Sequence, residues 1–311
     1  LAFLNGQLDV GAPGELLNTA APLGRLSPSL ARQGIWLERM VNPDVVATYF
    51  NMDDSLIGGL GAPQTALRRA VSLGYNIDQE IRDLRRGQML PAQSPIPPGS
   101  YGFEPDFVSA MSEFNRARAR ALLDTYGYVD RDGDGWREQP DGKPLVLLQA
   151  TGGDGFSRAS NEIWKTSMDA IGVKMEFQIG QWPEQLKSAR AGKLMMWGLG
   201  WSANVPDGET FLDVCYGPLA GSANLARFKL PEYDRLHEQQ RVLGNSPERL
   251  AVIREMKRLI AVYMPYRFHG HRIVNSFVHP WVIGYRRHPF ARDAFKWIDI
   301  DVDQRAAAGA G

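Results

Sequence analysis

Cysteine is nearly absent: Cys215 is the only one in 311 residues. That excludes a disulfide framework and a cysteine zinc cluster, and it leaves the thiol as a small buried apolar group. Net charge is absent too, since 35 lysines and arginines balance 35 aspartates and glutamates. Phosphate neutralisation needs a basic surplus, so no nucleic-acid partner is expected. No apolar run approaches the length that spans a bilayer. The chain also lacks a P-loop, a dinucleotide-binding glycine fingerprint after a strand, an HExxH helix and a GxSxG elbow. Residues Leu1 to Val10 carry neither an initiating methionine nor a basic signal-peptide region. They read as the interior of a longer protein, with an upstream part expected to be missing.

What is present fits an ordinary globular protein. The hydrophobic fraction is 44% and the charged fraction 23%, enough to bury a core. The length allows one large domain or two lobes. Along the chain, Val45 to Asn51 is β-branched and aromatic and reads as a strand. Thr65 to Arg86 has helical periodicity, divided near Asn76, with Asp78 as the expected cap of its second part. Its arginines Arg68, Arg69, Arg82, Arg85 and Arg86 could form an anion site, but five basic residues on a helix read rather as a solvated face. A proline-rich connection follows over Gly87 to Pro105. Asn115 caps a helix to Tyr126, and Gly127 ends it. The spacing then predicts strand, helix, strand, helix, strand over Pro144–Ala150, Ser160–Ile171, Val173–Ile179, Trp182–Ala191 and the apolar run from Leu194. That alternation implies an α/β fold. Helices over Leu230–Leu243 and Ser246–Tyr263 follow, then a strand-like Tyr266–Val278. Ala306 to Gly311 reads as a disordered tail.

The stretch from Leu194 to Pro218, LMMWGLGWSANVPDGETFLDVCYGP, is the strongest candidate for a site. A buried strand delivers aromatics into a polar, turn-rich loop, a common way to build a small-molecule site. Trp201, at the change from strand to loop, is the expected stacking residue, with Ser202, Asn204 and Asp207 beside it. Trp197 is assigned to the core.

Two metal readings compete with this. Asp130, Asp132 and Asp134, in DRDGDG, follow the first half of a calcium loop, with glycine at its sixth position. Asp141 stands where a bidentate glutamate is usual, and the segment is flanked by a helix and a strand. His269 and His271 lie two apart on a strand, on one face, and are the basis of an alternative function as a metal-binding protein or metal-dependent hydrolase.

Several segments, taken in order, resemble one family. Tyr49-Phe50-Asn51-Met52, then Ala66-Leu67-Arg68-Arg69-Ala70-Val71-Ser72-Leu73 with Ile77-Asp78, match its early strand and helix. Gly87 with Pro91-Ala92 and Ser94-Pro95-Ile96-Pro97 matches its "G-x-P-A … P-I-P" loop. Ala117-Arg118-Ala119-Arg120-Ala121-Leu122-Leu123, Gly127-Tyr128 and Asp132-Gly133-Asp134-Gly135 match its "A-x-x-L-L-x-x-x-G-Y … D-G-D-G" run. Gly200-Trp201-Ser202-Ala203-Asn204, Asp207 and Phe211-Leu212 match its "G-W-x-A-D … F-L" segment. The chain thus resembles the family 5 extracellular solute-binding proteins of peptide-type ABC importers.

The resemblance implies a two-lobed clamshell of the periplasmic-binding-protein type II kind, an α/β fold with lobe two complete and lobe one partial. Residues 1–54 would belong to lobe one, 55–281 to lobe two, and 282–311 would return to lobe one. It implies a non-catalytic subunit that captures a peptide, peptide-like or other small solute and hands it to a membrane permease. It implies a periplasmic or extracellular location, a monomer and no cofactor apart from the candidate calcium. Peptide-binding members pair an aspartate with the ligand's ammonium group. Asn204 occupies that position here and brings no countercharge, and Gly198 stands where some members carry a basic side chain.

Overall fold

The computed structural model describes residues 2–11, 20–291 and 293–309. Its strands are β1 (Val10–Gly11), β2 (Trp36–Val41), β3 (Asp44–Phe50), β4 (Met89–Pro91), β5 (Val146–Thr151), β6 (Lys174–Ile179), β7 (Met196–Ser202), β8 (Tyr266–Val278), β9 (Val282–Ile283) and β10 (Asp299–Ile300). Its longer helices are α1 (Ala62–Gly74), α2 (Arg116–Thr125), α3 (Gly155–Asp169), α4 (Trp182–Arg190), α5 (Pro231–Arg241), α6 (Pro247–Tyr263) and α7 (Val302–Gly309).

The capping chemistry explains where several helices begin. Asn115 accepts from the Arg118 amide, Asp154 from the Ser157 amide and Ser246 from the Arg249 amide, each satisfying an orphan donor of the first turn. Gly127 follows α2 at φ +81°, a backbone conformation that glycine adopts without a Cβ penalty. After α1 the chain departs from expectation. The cap is Asn76, not Asp78, and the helix passes into a π-turn over Glu80–Leu84 in which the Arg85 amide reaches back to the Glu80 carbonyl.

One sheet organises the molecule, in the order β1-β8-β3-β7-β5-β6, with β2 and β4 also paired to β8. β5 runs parallel to β6 and β7, whereas β3 runs antiparallel to β7 and β8. The chain from Trp36 to Tyr49 pairs antiparallel with β8 over Trp36–Val41 and again over Val46–Tyr49, with a break from Asn42 to Val45. A bulge in the pairing leaves His269 as the extra residue of β8 opposite Val46 and Ala47.

The large cores lie on opposite faces of this sheet. Val45, Ala47, Tyr49, Tyr266 and Phe268 pack beneath α5 and α6 with Phe211, Phe228, Tyr233, Ile253 and Met256. Phe50, Leu147, Met175 and Met196 pack beneath α1, α2 and α3 with Leu67, Val71, Leu123, Trp164 and Met168. Smaller clusters gather around Phe3, Leu30 and Phe277, and around Val278, Trp281 and Tyr285.

Three expectations are corrected here. β2 is a full strand, where no strand is read before Val45. The stretch from Ala306 to Gly309 is helical, within α7, while Ala310 and Gly311 lie outside the described residues. The arginines of the α1 region do not share one solvated face. Arg82 and Arg86 are exposed, but Arg68 is fully buried and donates to the Tyr263 and Ile57 carbonyls. A buried guanidinium surrounded by carbonyl acceptors is stable there because its donors are satisfied. Burial still costs the charged form, and its pKa falls to about 10.

Candidate functional site

A cavity of about 890 Å³ opens above the carboxyl ends of β5 and β6 and along β7. That is where open α/β sheets usually hold ligands. The strand periodicity explains its floor. In β7, Trp197, Leu199 and Trp201 point to the core under α5 and α6, while Gly198, Gly200 and Ser202 face the other way and are exposed. Thr48 of β3, Gln149 and Thr151 of β5 and His269 of β8 also line the cavity. This stretch of the sheet is therefore polar and glycine-bearing, and the first turns of α3 and α4 border it.

β5 pairs with β7 only at Gln149↔Met196 and Ala150↔Trp197. Beyond Trp197 the β5-side edge of β7, from Gly198 to Ser202, has no strand partner among the described residues. Its backbone donors and acceptors border the cavity without neighbouring Cβ atoms at Gly198 and Gly200. A Cβ added at Gly198 would come no closer than 3.4 Å to another atom, the Thr48 hydroxyl, so the glycine leaves usable space.

Aromatic groups line one side of the cavity. Trp182 is 54% exposed and packs on Trp197 with ring centroids 4.7 Å apart. Phe156 is also exposed and lies under the Arg85 guanidinium at 4.5 Å. Opposite them, Gln149 is 95% buried by its 5% relative exposure, and its Oε1 has no hydrogen-bond partner. A buried acceptor left unpaired is costly, so it marks a place that a ligand donor or water fills.

The π-turn supplies the charged wall. Glu80 accepts from the Tyr75 hydroxyl at 2.8 Å and from Arg85 Nε at 3.0 Å, and His269 Nδ1 lies 2.7 Å from it. Burial alone would raise this carboxyl. His269, Arg85 and the Tyr75 hydroxyl outweigh burial and hold it well below the usual range. Burial lowers the His269 pKa, so the ring is neutral, with Nδ1–H donating to Glu80 and Nε2 accepting from the Thr48 hydroxyl at 3.0 Å.

The expected site residues take several places. Trp201 stands at the end of the open β7 edge, half-buried, with its ring edge-on to Tyr266 at 5.4 Å. Ser202 lines a second recess of about 370 Å³ with Asn42, Tyr285 and Arg287. Asn204 is exposed on the following bend. Asp207 is committed to Arg249 through two parallel bonds of 2.7 and 2.9 Å, and it also accepts from the Glu209 amide. Trp197, assigned to the core, does lie in it and also lines the large cavity.

The histidine metal reading is not supported. Both ring nitrogens of His269 are engaged, and His271 donates from Nδ1 to the Asp44 carbonyl at 2.7 Å. Among the described residues, neither histidine belongs to a cluster with metal-ligand spacing. Asp130, Asp132 and Asp134 do converge, with Glu138 as a fourth carboxylate. Their oxygens accept from the amides of Gly133, Gly135, Asp134, Trp136 and Arg131. Asp141 turns away to Lys143.

Sequence reasoning missed Gln149, Trp182 as a cavity wall, and the pair Glu80–Arg85. Trp182 left a signal as a tryptophan opening a helix, and Arg85 as one of the arginines that could form an anion site.

Residues 1–222 match the model of the bacterial extracellular solute-binding proteins, family 5 Middle, and the chain belongs to that family. It is 26% identical over 251 residues to heme-binding protein A of Haemophilus influenzae, covering 77% of this chain and 43% of that protein. It is also 26% identical over 239 residues to di/tripeptide-binding protein 2 of Pseudomonas aeruginosa, covering 76% and 42%. Among solved structures, it superposes on the oligopeptide-binding protein AppA from Bacillus subtilis, in complex with a nonapeptide, with a TM-score of 0.77 at 17% identity, over 96% of this chain and 57% of that one. It matches HbpA2 from Haemophilus parasuis with a TM-score of 0.76 at 18% identity, over 96% and 55%. The chain therefore has the α/β fold of the two-lobed solute-binding proteins and spans less than half the length of these curated relatives.

Proposed function

We propose that the chain is the solute-capturing part of a non-catalytic ABC-importer subunit, working outside the cytoplasmic membrane as a monomer and delivering its solute to a membrane permease. The observation that carries this reading is the β5-side edge of β7, without a strand partner among the described residues from Gly198 to Ser202 and open to the large cavity from Gly198 to Gly200. An extended peptide or peptide-like solute adds to such an edge through its own main chain, and the adjacent cavity takes its side chains. Trp182 and Phe156 supply flat apolar contact, and Gln149 accepts a solute N–H. Trp201 and Ser202 contribute through the edge, and Asn204 lies beside its end. Asp207 braces the loop on α6 and is not a ligand contact in this reading.

The lobes meet, in this reading, where the paired strands cross at Asn42–Asp44 and Gly270–Ile273. This lies earlier than residue 54, because Val45 to Phe50 already pack in the large cores. The remainder up to β8 forms lobe two, and residues 282–311 return to lobe one. Supporting a binding role are the family's description and the peptide- and heme-binding names of its relatives.

Titration of the purified protein with a panel of two- to five-residue peptides, followed by tryptophan fluorescence, tests this. A saturable change is expected, since Trp182 and Trp197 wall the cavity. Gly198→Leu projects a side chain into the cavity from a position where an added Cβ meets nothing closer than 3.4 Å, and it should abolish the change while leaving Tm within a few degrees. Unaltered affinity in Gly198→Leu would place the solute elsewhere.

A further inference from the structure

Arg85 and Arg272 both line the large cavity, and both also line a neighbouring recess of about 470 Å³. They come from unrelated elements, the end of the π-turn and the middle of β8. Each is fixed from behind by a buried carboxylate. Arg85 Nε donates to Glu80, whose side chain is 3% exposed, at 3.0 Å. Arg272 Nε donates to Asp44, whose side chain is 0% exposed, at 2.6 Å. Asp44 is itself held by the Arg272 amide at 3.0 Å and the Asn42 side chain at 2.6 Å. In both arginines Nε makes the ion pair, and the face of the Arg85 guanidinium also lies over the Phe156 ring. Among the described residues, their terminal guanidinium nitrogens have no hydrogen-bond partner, and they border the two openings.

The charged groups around them favour an anion. The recess between them is lined by Arg85, Arg86 and Arg272 with Asn42 and Gln88, and no carboxylate lines it. Arg86 holds φ +51°, a left-handed conformation unusual for a side-chain-bearing residue, at the turn that presents this basic group. On the cavity side the carboxylates are Glu80 and Asp154. Glu80 is turned to His269, Tyr75 and Arg85, and Asp154 accepts from the Ser157 amide and hydroxyl. Two guanidinium groups oriented by rigid carboxylates, with their forks left open, match the planar geometry of a carboxylate or phosphate.

We propose that Arg85 and Arg272 form an anion fork that selects solutes bearing a carboxylate or phosphate group. This rests on the solute-binding reading of the same cavity, and it names the feature that reading leaves open. It also relocates the positive charge. β7 presents a glycine at position 198, and the cation comes instead from the π-turn and β8. A solute lying along the β7 edge would point its acidic end toward the π-turn.

The test uses probes that do not depend on knowing the solute. Inorganic phosphate and succinate are titrated calorimetrically into the wild-type protein, with tri-alanine and tri-alanine amide alongside. The variants are Arg85→Lys and Arg272→Lys, which keep the charge facing Glu80 and Asp44 and remove the fork. Saturable binding of phosphate or succinate, weakened at least ~10-fold in each lysine variant, supports the proposal, because a point charge does not replace a bidentate donor. Whichever anion binds more tightly identifies the phosphate or the carboxylate as the preferred group. No saturable binding of either anion, or equal binding in wild type and variants, overturns the fork. Equal binding of tri-alanine and its amide also overturns it while leaving the solute-binding reading intact. Anion binding without any peptide binding would retain the fork and count against peptides as the solute.

Discussion

His269 and His271 are held neutral by burial, and both sit on the strand that crosses the sheet. The sign of their effect on stability follows. Unfolded, each ring takes up a proton near pH 6.5, whereas in the folded protein the pKa is lower. The unfolded state therefore binds protons first, and stability falls as pH drops through about 6.5. Glu80 acts in the same direction at lower pH, because its folded pKa is depressed and its contribution is lost on stronger acidification. Urea unfolding at pH 7.5 and 5.5 should show the lower value at pH 5.5. His271→Gln, which keeps a donor toward the Asp44 carbonyl, should reduce the difference, and an unchanged difference would remove His271 from this account. The acidic loop allows a separate check. If Asp130, Asp132, Asp134 and Glu138 hold calcium, millimolar calcium raises the Tm of the wild type but not of Asp132→Asn. Equal melting assigns the loop to capping its own backbone. At this scale the cap Asn115 and the buried Cys215 were legible, because their chemistry is local. Arg68, Gln149 and Asp207 were not, because their partners or cavities are assembled from distant segments.

The elements between residues 144 and 278 follow the periodicity of the sequence closely, since apolar alternation sets both the strands and the helix faces. The π-turn at Glu80 was invisible in that pattern. It depends on one backbone bond spanning five residues, and no residue type marks it. β2 escaped notice because Glu38 and Arg39 interrupt its alternation. The loop after β7 is held by Asp207 on Arg249, which is itself 5% exposed and also donates to Gln240. Asp207→Ala leaves that guanidinium without its carboxylate. Asp207 is partly exposed, so the loss is expected near the low end of a buried pair, about 2–3 kcal/mol. Chemical denaturation measures it, and solute affinity per folded molecule should stay within a few-fold. A large loss of affinity with unchanged stability would restore Asp207 as a contact.

Across the whole molecule, the fold class was legible only through ordered motifs, since no single one is specific. The cavity was not, because its walls come from β3, β5, β7, β8, the π-turn and the starts of α3 and α4. The solute surface is thus a property of the assembled sheet.

β8 runs for 13 residues from the core under α6 to the cluster at Trp281, and it pairs with β1, β2, β3 and β4 on the way. His269, the bulge residue, and Arg272, three residues further on, sit on it. The strand therefore acts as a common beam, loaded at its middle by whatever occupies the cavity. Ordering Arg272 stiffens a ladder whose far end, Ile273 to Val278, holds β2. Amide hydrogen exchange in that far segment should slow when the cavity is filled, although none of its residues lines the large cavity. Exchange at Ile273 to Val278 that ignores occupancy would mean that the bulge uncouples the two halves of the beam.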